Sequence, residues 1–422
     1  LARMFKQIKS FALVTVSVAL IAALLLGSVV PAKAEPQKVV KVGLHGCYTG
    51  ALANTGVPGG NGLKDAIGYA NKRGGVNGVK FEFVWEETGG LIPRAITTHK
   101  RFKEAGVMVE VSIIAHAVEA ISRSLQRDET PLFLATGYTE EMVTRPIPWV
   151  FTSEPAIFDH AALEVKWFRD QWGGERPPRI GALGYNDRLY WDYLEGIKWA
   201  CKKYDVEFVG HEVVPMFGVI DTSTEWLRLA GKKPDAIQTV MCGSTQVVGW
   251  KDAHRLEIMK RGITLFDCGY CMTASLPAIG ARDAEGLYFA IWVAYAEELI
   301  DTCPFTKLVY EQREKHRGIP QDKLMSEAYV YGWVVMKLLS EGVRLAIEKE
   351  GIENLSGHTI RDGLASLEDF DMEGAMPPVT MSDVKPWYAS GLIMYEVREG
   401  KHHPVSEWIE FPGYYKMLHL YK

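Results

Sequence analysis

Residues 39–88, VVKVGLHGCYTGALANTGVPGGNGLKDAIGYANKRGGVNGVKFEFVWEET, carry the pattern that decides the fold. An apolar run from Val39 to Leu44 meets a bend with no Lys, Arg, Asp or Glu between His45 and Gly56. A helical period follows from Gly62 to Lys72, and a second apolar run fills Val79 to Trp85. Short β-rich runs joined by a helix are the signature of a parallel βαβ unit. The alternation continues with runs at Val107 to Ile114 and Pro131 to Ala135, and with helical stretches at Pro93 to Ala105 and Ala117 to Arg127. It restarts at Ile180 to Leu183, Val206 to Val214, Ala236 to Met241 and Ile263 to Asp267. The expected fold is α/β: two successive units of about four strands, each an open, doubly wound, mostly parallel sheet with helices on both faces.

A chain of 422 residues exceeds the comfortable size of one hydrophobic core, which also favours two lobes. Leu324, Ala328, Tyr331, Val335, Leu338, Gly342 and Ala346 recur at helical spacing and predict a long core-facing helix. Gly391 to Val397 reads as a late strand, and His402-His403 as polar surface loop. No Gly/Ser linker joins the lobes, so short crossings and a hinge are expected.

Arg3, Lys6 and Lys9 precede a Leu/Ala/Val-rich uncharged stretch ending in Pro31-Ala32-Lys33-Ala34. This is the layout of a signal peptide at residues 1–34, cleaved after Ala34, although the stretch is long enough for a retained anchor. Loss of Arg3, Lys6, Lys9 and Lys33 makes the formal charge of −5 more negative, which disfavours nucleic acid as a partner. Cys47, Cys201, Cys242, Cys268, Cys271 and Cys303 would be free to pair in an exported chain, but no pairing follows from sequence. Small buried apolar residues are the plainer reading of most of them.

In an open α/β sheet the ligand sits beyond the carboxyl ends of the strands. Here those tails are His45 to Gly50, His116-Ala117, Thr136 to Thr139, Tyr185 to Trp191, Cys242 to Thr245 and Cys268 to Cys271. Glycine lets backbone N–H groups approach a ligand, hydroxyls orient it and aromatic faces cover its apolar body. Any single tail is equally a helix cap or turn, yet six of similar composition point to a small-molecule cleft. There is no phosphate loop, nucleophile elbow or zinc helix, so neither catalysis nor a cofactor nor a metal is expected. Cys268-Gly269-Tyr270-Cys271 reads as a redox pair, half a zinc site, a passive disulfide or free thiols, and no second motif completes a metal set.

The opening stretch resembles that of type I periplasmic substrate-binding proteins of ABC transporters, of the branched-chain amino acid, leucine-binding-protein-like class. NKRGGVNG at 71–78 is its most specific piece. PLFLATGYTEEMV, RIGALGYNDRLYWDYLEGIKWA, DAEGLYFA and SEAYVYGWVVMKLLSEGV resemble the later parts of the same family. The resemblance implies two lobes closing by hinge motion on a solute, with lobe one at 38–156 plus 293–384 and lobe two at 157–292 plus 385–422. Crossings would fall near Ala156, Trp292 and Lys385, and the partners would be ABC permease and ATPase subunits of the inner membrane. Carried over by motif, the ligand site falls on Tyr48, Thr55, His116, Ala117, Gly137, Thr139, Tyr190, Ser244 and Tyr270. Tyr270 stands on or beside the place where relatives carry a carboxylate for the ligand's ammonium, and Asp267 is expected to point elsewhere. Since a buried ammonium without an anion is costly, the expected ligand is an apolar or aromatic acid, or a neutral amide. Two other readings are a periplasmic sensor acting on a separate membrane receptor and a secreted thiol oxidoreductase using Cys268 and Cys271.

Overall fold

Val40, Val42 and Leu44 are all buried because β1 (Val39–Gly46) has a strand on each side and helices on both faces. β2 (Lys80–Glu87), β3 (Val109–Ser112), β4 (Leu132–Leu134) and β5 (Val150–Phe151) complete a parallel sheet of order β2-β1-β3-β4-β5. The computed structural model describes residues 38–113, 115–139, 142, 148–383 and 391–410. The expected leader at 1–34, the crossing near Lys385 and the residues after 410 lie outside the described residues.

The second sheet repeats the order. β6 (Arg179–Tyr185), β7 (Glu207–Val214), β8 (Ala236–Val240), β9 (Thr264–Asp267) and β10 (Tyr288–Ile291) run parallel as β7-β6-β8-β9-β10. β11 (Gly391–Arg398) then pairs antiparallel with β10, and β12 (Lys401–Pro404) and β13 (Ile409–Glu410) pair antiparallel with β11. In both sheets the strand order reverses beside the first strand, which opens a crevice at the carboxyl ends there. Each sheet thus has five parallel strands. β5, of two residues, and β10, of four, are the parallel strands that the apolar runs did not mark.

α1 (Ala53–Lys72), α2 (Ile92–Glu104) and α3 (Ala115–Arg127) cover the first sheet, and α4 (Ile157–Gln171) leads into the second. α5 (Arg188–Lys203), α6 (Ser223–Gly231), α7 (Gly243–Arg255), α8 (Met272–Ile279) and the single turn α9 (Ala281–Ala284) belong with the second sheet. After β10 come α10 (Pro304–Arg317), α11 (Glu327–Glu350) and α12 (Gly357–Leu364). α11 packs along α1, and α12 packs on α11.

α1 corrects the sequence reading, which started this helix at Gly62. It begins at Ala53 and runs through Thr-Gly-Val-Pro-Gly-Gly, residues that normally weaken helices. The glycines are there for packing: a Cβ on Gly62 would lie 2.0 Å from the Tyr329 carbonyl oxygen, and one on Gly332 would lie 2.1 Å from the Leu63 nitrogen. Asp65 fixes the same crossing, accepting two bonds from Arg317 at 2.7 and 2.8 Å and one from the Tyr329 hydroxyl at 2.9 Å.

A chain of buried ionisable groups runs through the first lobe. Glu110 on β3 is reached by His45 Nε2 at 2.6 Å and by His99 Nδ1 at 2.7 Å, and His99 Nε2 reaches Asp128 at 3.2 Å. Burial opposes charge on His99, but Glu110 and Asp128 outweigh it and raise its pKa. Burial likewise opposes charge on Glu110, and the two histidines outweigh it and lower its pKa.

His402 also departs from expectation. It is 5% exposed rather than on the surface, stacked on Tyr295 with ring centroids 4.4 Å apart, because β12 lays it over the second sheet's edge. Burial pushes its pKa down to about 3. His403, its neighbour, alternates outward and meets Glu298.

Candidate functional site

Between the carboxyl ends of the two sheets lies a narrow cleft with a cavity volume of about 50 Å³. Its wall is made of strand tails. Leu52 and Thr55 follow β1, Ala115 and His116 follow β3, and Thr136 and Gly137 follow β4. From the other side Tyr185 ends β6, Asp187 and Leu189 follow it, Met216 follows β7, Cys242 follows β8, and Tyr270 and Cys271 follow β9. A larger hollow lined by Tyr69, Arg73, Trp333 and Phe370 sits between α1 and α11. It lies toward the amino end of β2, away from the ends where open α/β sheets bind ligands.

The two lobes touch across the cleft. Asn54 Nδ2 donates to Ser275 Oγ at 2.8 Å, and His116 Nδ1 lies 3.9 Å from Asp187 Oδ2. His116 is oriented from behind, its Nε2 donating to the Gly90 carbonyl at 2.9 Å. Gly243 allows the closest approach: its φ is +60°, and a Cβ there would lie 2.1 Å from the Ala51 carbonyl oxygen.

Of the residues named from sequence, Thr55, His116, Gly137 and Tyr270 meet in this wall. The others stand elsewhere. Ala117 is buried beside Cys47, Leu52 and Ala95, and Thr139 is buried with its hydroxyl donating to Glu119 at 2.6 Å. Tyr190 is fully buried behind Gly184 and donates to the Glu212 carbonyl at 3.3 Å. Tyr48 packs on Trp85, 4.7 Å between ring centroids, and Ser244 is exposed in the first turn of α7. Asp267 does point away from the cleft, into bonds with Gln246, Thr239 and the Gly269 N–H at 3.0–3.1 Å; burial pushes its pKa up to about 7.

Sequence reasoning missed the carboxylates that flank the wall. Glu154, fully buried, accepts the Tyr138 N–H at 2.5 Å and a further bond from the Gly137 N–H. Burial raises its pKa far above the usual carboxylate range, against these bonds and the neighbouring Tyr270 hydroxyl. Glu327, also fully buried, accepts from the Thr273 hydroxyl and from the Ala274 N–H at 3.1 Å, so it caps α8 rather than only its own helix. Asp187 caps α5, accepting from the Leu189 N–H at 2.8 Å. Glu327 reads in sequence as an ordinary first-turn acid, and Glu154 stands in no motif. Only Asp187, before a helical period, carries a readable capping signal.

Tyr185 closes the floor by donating to the Cys242 carbonyl at 2.7 Å, with the Cys242 N–H returning a bond to its hydroxyl. All six cysteines are free. Cys268 is fully buried, and burial raises its pKa well above the usual thiol value. A reactive redox thiol needs the opposite: exposure and a lowered pKa. Among the described residues no group of three or more His, Cys, Asp or Glu is placed to hold a metal ion.

Residues 39–401 match the family described as periplasmic binding protein. Among solved structures, a branched chain amino acid ABC transporter protein from Thermus thermophilus, with bound valine, superposes with a TM-score of 0.79 at 17% identity. The match covers 91% of this chain and 99% of that one. A solute-binding ABC transporter protein from R. palustris in complex with benzoate gives a TM-score of 0.71 at 18% identity, over 89% and 98% of the two chains. A fatty acid ABC transporter substrate-binding protein from Thermomonospora curvata gives 0.74 at 16%, over 89% and 94%. No curated protein matches the sequence.

Proposed function

The chain belongs to the periplasmic binding protein family, and from that premise we propose that it is the solute receptor of an ABC importer. The observation that carries the reading is the wall of the cleft: tails from both sheets converge on one small volume, and apolar side chains there are interspersed with hydroxyls. Leu52, Leu189 and Met216 suit an apolar body, and Thr55, His116 and Tyr270 suit a polar head, carboxylate or amide. Similar folds bind valine and benzoate, both small molecules with an apolar body. No bond is made or broken in such a role.

The proposal includes export with cleavage after Ala34, delivery to a permease and ATPase in the inner membrane, and closure about crossings near Ala156, Trp292 and Lys385. Gly243 and the Asn54–Ser275 bond would close the lobes over the solute. Native and denaturing mass spectra of the purified protein, read side by side, test it. A noncovalent small molecule lost on denaturation supports the receptor. Small-angle scattering is the second test, since adding that molecule should shrink the radius of gyration. An unchanged radius with a confirmed ligand would count against closure.

A further inference from the structure

Three sets of backbone donors that a ligand carboxylate would use are already occupied by the chain's own acids. Glu154 holds the Gly137 and Tyr138 N–H groups at the end of β4, Glu327 holds the first turn of α8, and Asp187 holds that of α5. Backbone N–H groups at helix and strand ends are the usual seat of an anion, and three such seats around this cleft are filled. Among the described residues no Lys or Arg lines the cleft, and His116 already faces Asp187.

What remains unpartnered around the cleft is mainly acceptor and hydroxyl. Thr55 Oγ1, on a residue 4% exposed that lines the wall, and Asn54 Oδ1 beside it have no hydrogen-bond partner, whereas the Tyr270 hydroxyl faces the Glu154 carboxyl. Buried polar atoms without partners are costly; the Thr55 hydroxyl can donate or accept and Asn54 Oδ1 only accepts, so a solute with N–H donors can satisfy both. Among the described residues an ionised carboxylate would meet acceptors and other acids, and no cationic side chain of Lys or Arg.

We infer that the cleft takes a small neutral solute bearing N–H donors, of the primary amide or urea class, in preference to a carboxylate. This rests on the receptor reading and fixes the polar head that reading leaves open. The raised pKa of Glu154 agrees with it, since a protonated acid offers no charge to an ammonium but pairs well with an amide.

The test is calorimetric titration of the full chain at neutral pH with isobutyramide and benzamide, each against the matched acid and the matched amine. Tenfold or tighter binding of an amide over its acid and its amine is expected. Glu154→Ala, which frees the Gly137 and Tyr138 N–H groups, should weaken the amide and improve the acid by about tenfold each. Thr55→Val should weaken the amide with the fold intact by circular dichroism. The inference is overturned if an acid or amine binds wild type as well as its amide, or if no amide binds below millimolar concentration. The receptor reading is judged separately: a retained carboxylate in the native mass spectrum would sink the inference and leave the receptor standing.

Discussion

Asn54 of the first lobe donates its side-chain N–H to Ser275 Oγ of the second at 2.8 Å, next to the wall that Thr55 contributes. One neutral hydrogen bond is worth about 1 kcal/mol net. Ser275→Ala is therefore expected to favour the open form, with about fivefold weaker solute binding and a larger ligand-free radius in small-angle scattering. Unchanged affinity and radius would show that the bond does not help hold the lobes together.

The Glu110 cluster sets a pH dependence. His99 has a raised folded pKa, so its contribution is full below the ordinary value of 6.5 and fades as pH rises through the folded value. Glu110 has a lowered one, so its contribution is full above the ordinary 4.5 and fades as pH falls through the folded value. Both contribute fully between those two values. Glu110→Gln should cost about 3–5 kcal/mol there, because it leaves buried histidines without their anion. Urea unfolding from pH 5 to pH 9 measures it, and the variant should lose less than wild type as pH rises.

His402 acts in the opposite sense. Its folded pKa is lowered to about 3, so the unfolded chain binds its proton first and stability falls as pH drops below the ordinary 6.5. His402→Phe preserves the stack on Tyr295 and removes the titration. Wild type is expected to lose about 2 kcal/mol relative to this variant between pH 7 and pH 5, at 1.36 kcal/mol per pH unit below the ordinary value. Parallel stability curves for the two proteins would refute a buried neutral histidine.

At the α1–α11 crossing, Gly332→Ala should destabilise although alanine is the better helix former by about 1 kcal/mol. The new Cβ would meet the Leu63 nitrogen, and overpacking of this kind costs about 1–3 kcal/mol. Thermal unfolding should show a lower midpoint. Gly68→Ala, on the same helix as Leu63 but with open space around its Cβ, should hold or raise it.

The sheets were legible because buried parallel strands are written as apolar runs: every run named from Val39 to Asp267 became a strand. The start of α1 was not legible. Pro58 and the nearby glycines argue locally against a helix, and only tertiary contacts explain them: Gly56 packs on Cys47, Gly60 on Tyr48 and Gly62 on the distant α11. For the cleft, the rule that ligands sit at strand tails found Thr55, His116, Gly137 and Tyr270. Position in a tail does not say which way a side chain turns, and Tyr190 and Thr139 turned into the protein. Glu154 and Glu327 escaped because their partners lie on other elements, so nothing in the neighbouring residues marks them.

The Tyr329–Asp65 bond joins residues 264 positions apart, across the whole second parallel sheet. The part of α1 around Gly62, among the first parts of the fold to be synthesised, has no cover until α11 has been made. The earlier-made half of the first lobe therefore cannot fold to completion on its own during synthesis. Its assembly awaits a long-range loop closure, which slows folding and keeps an apolar helix face available to whatever holds nascent chains.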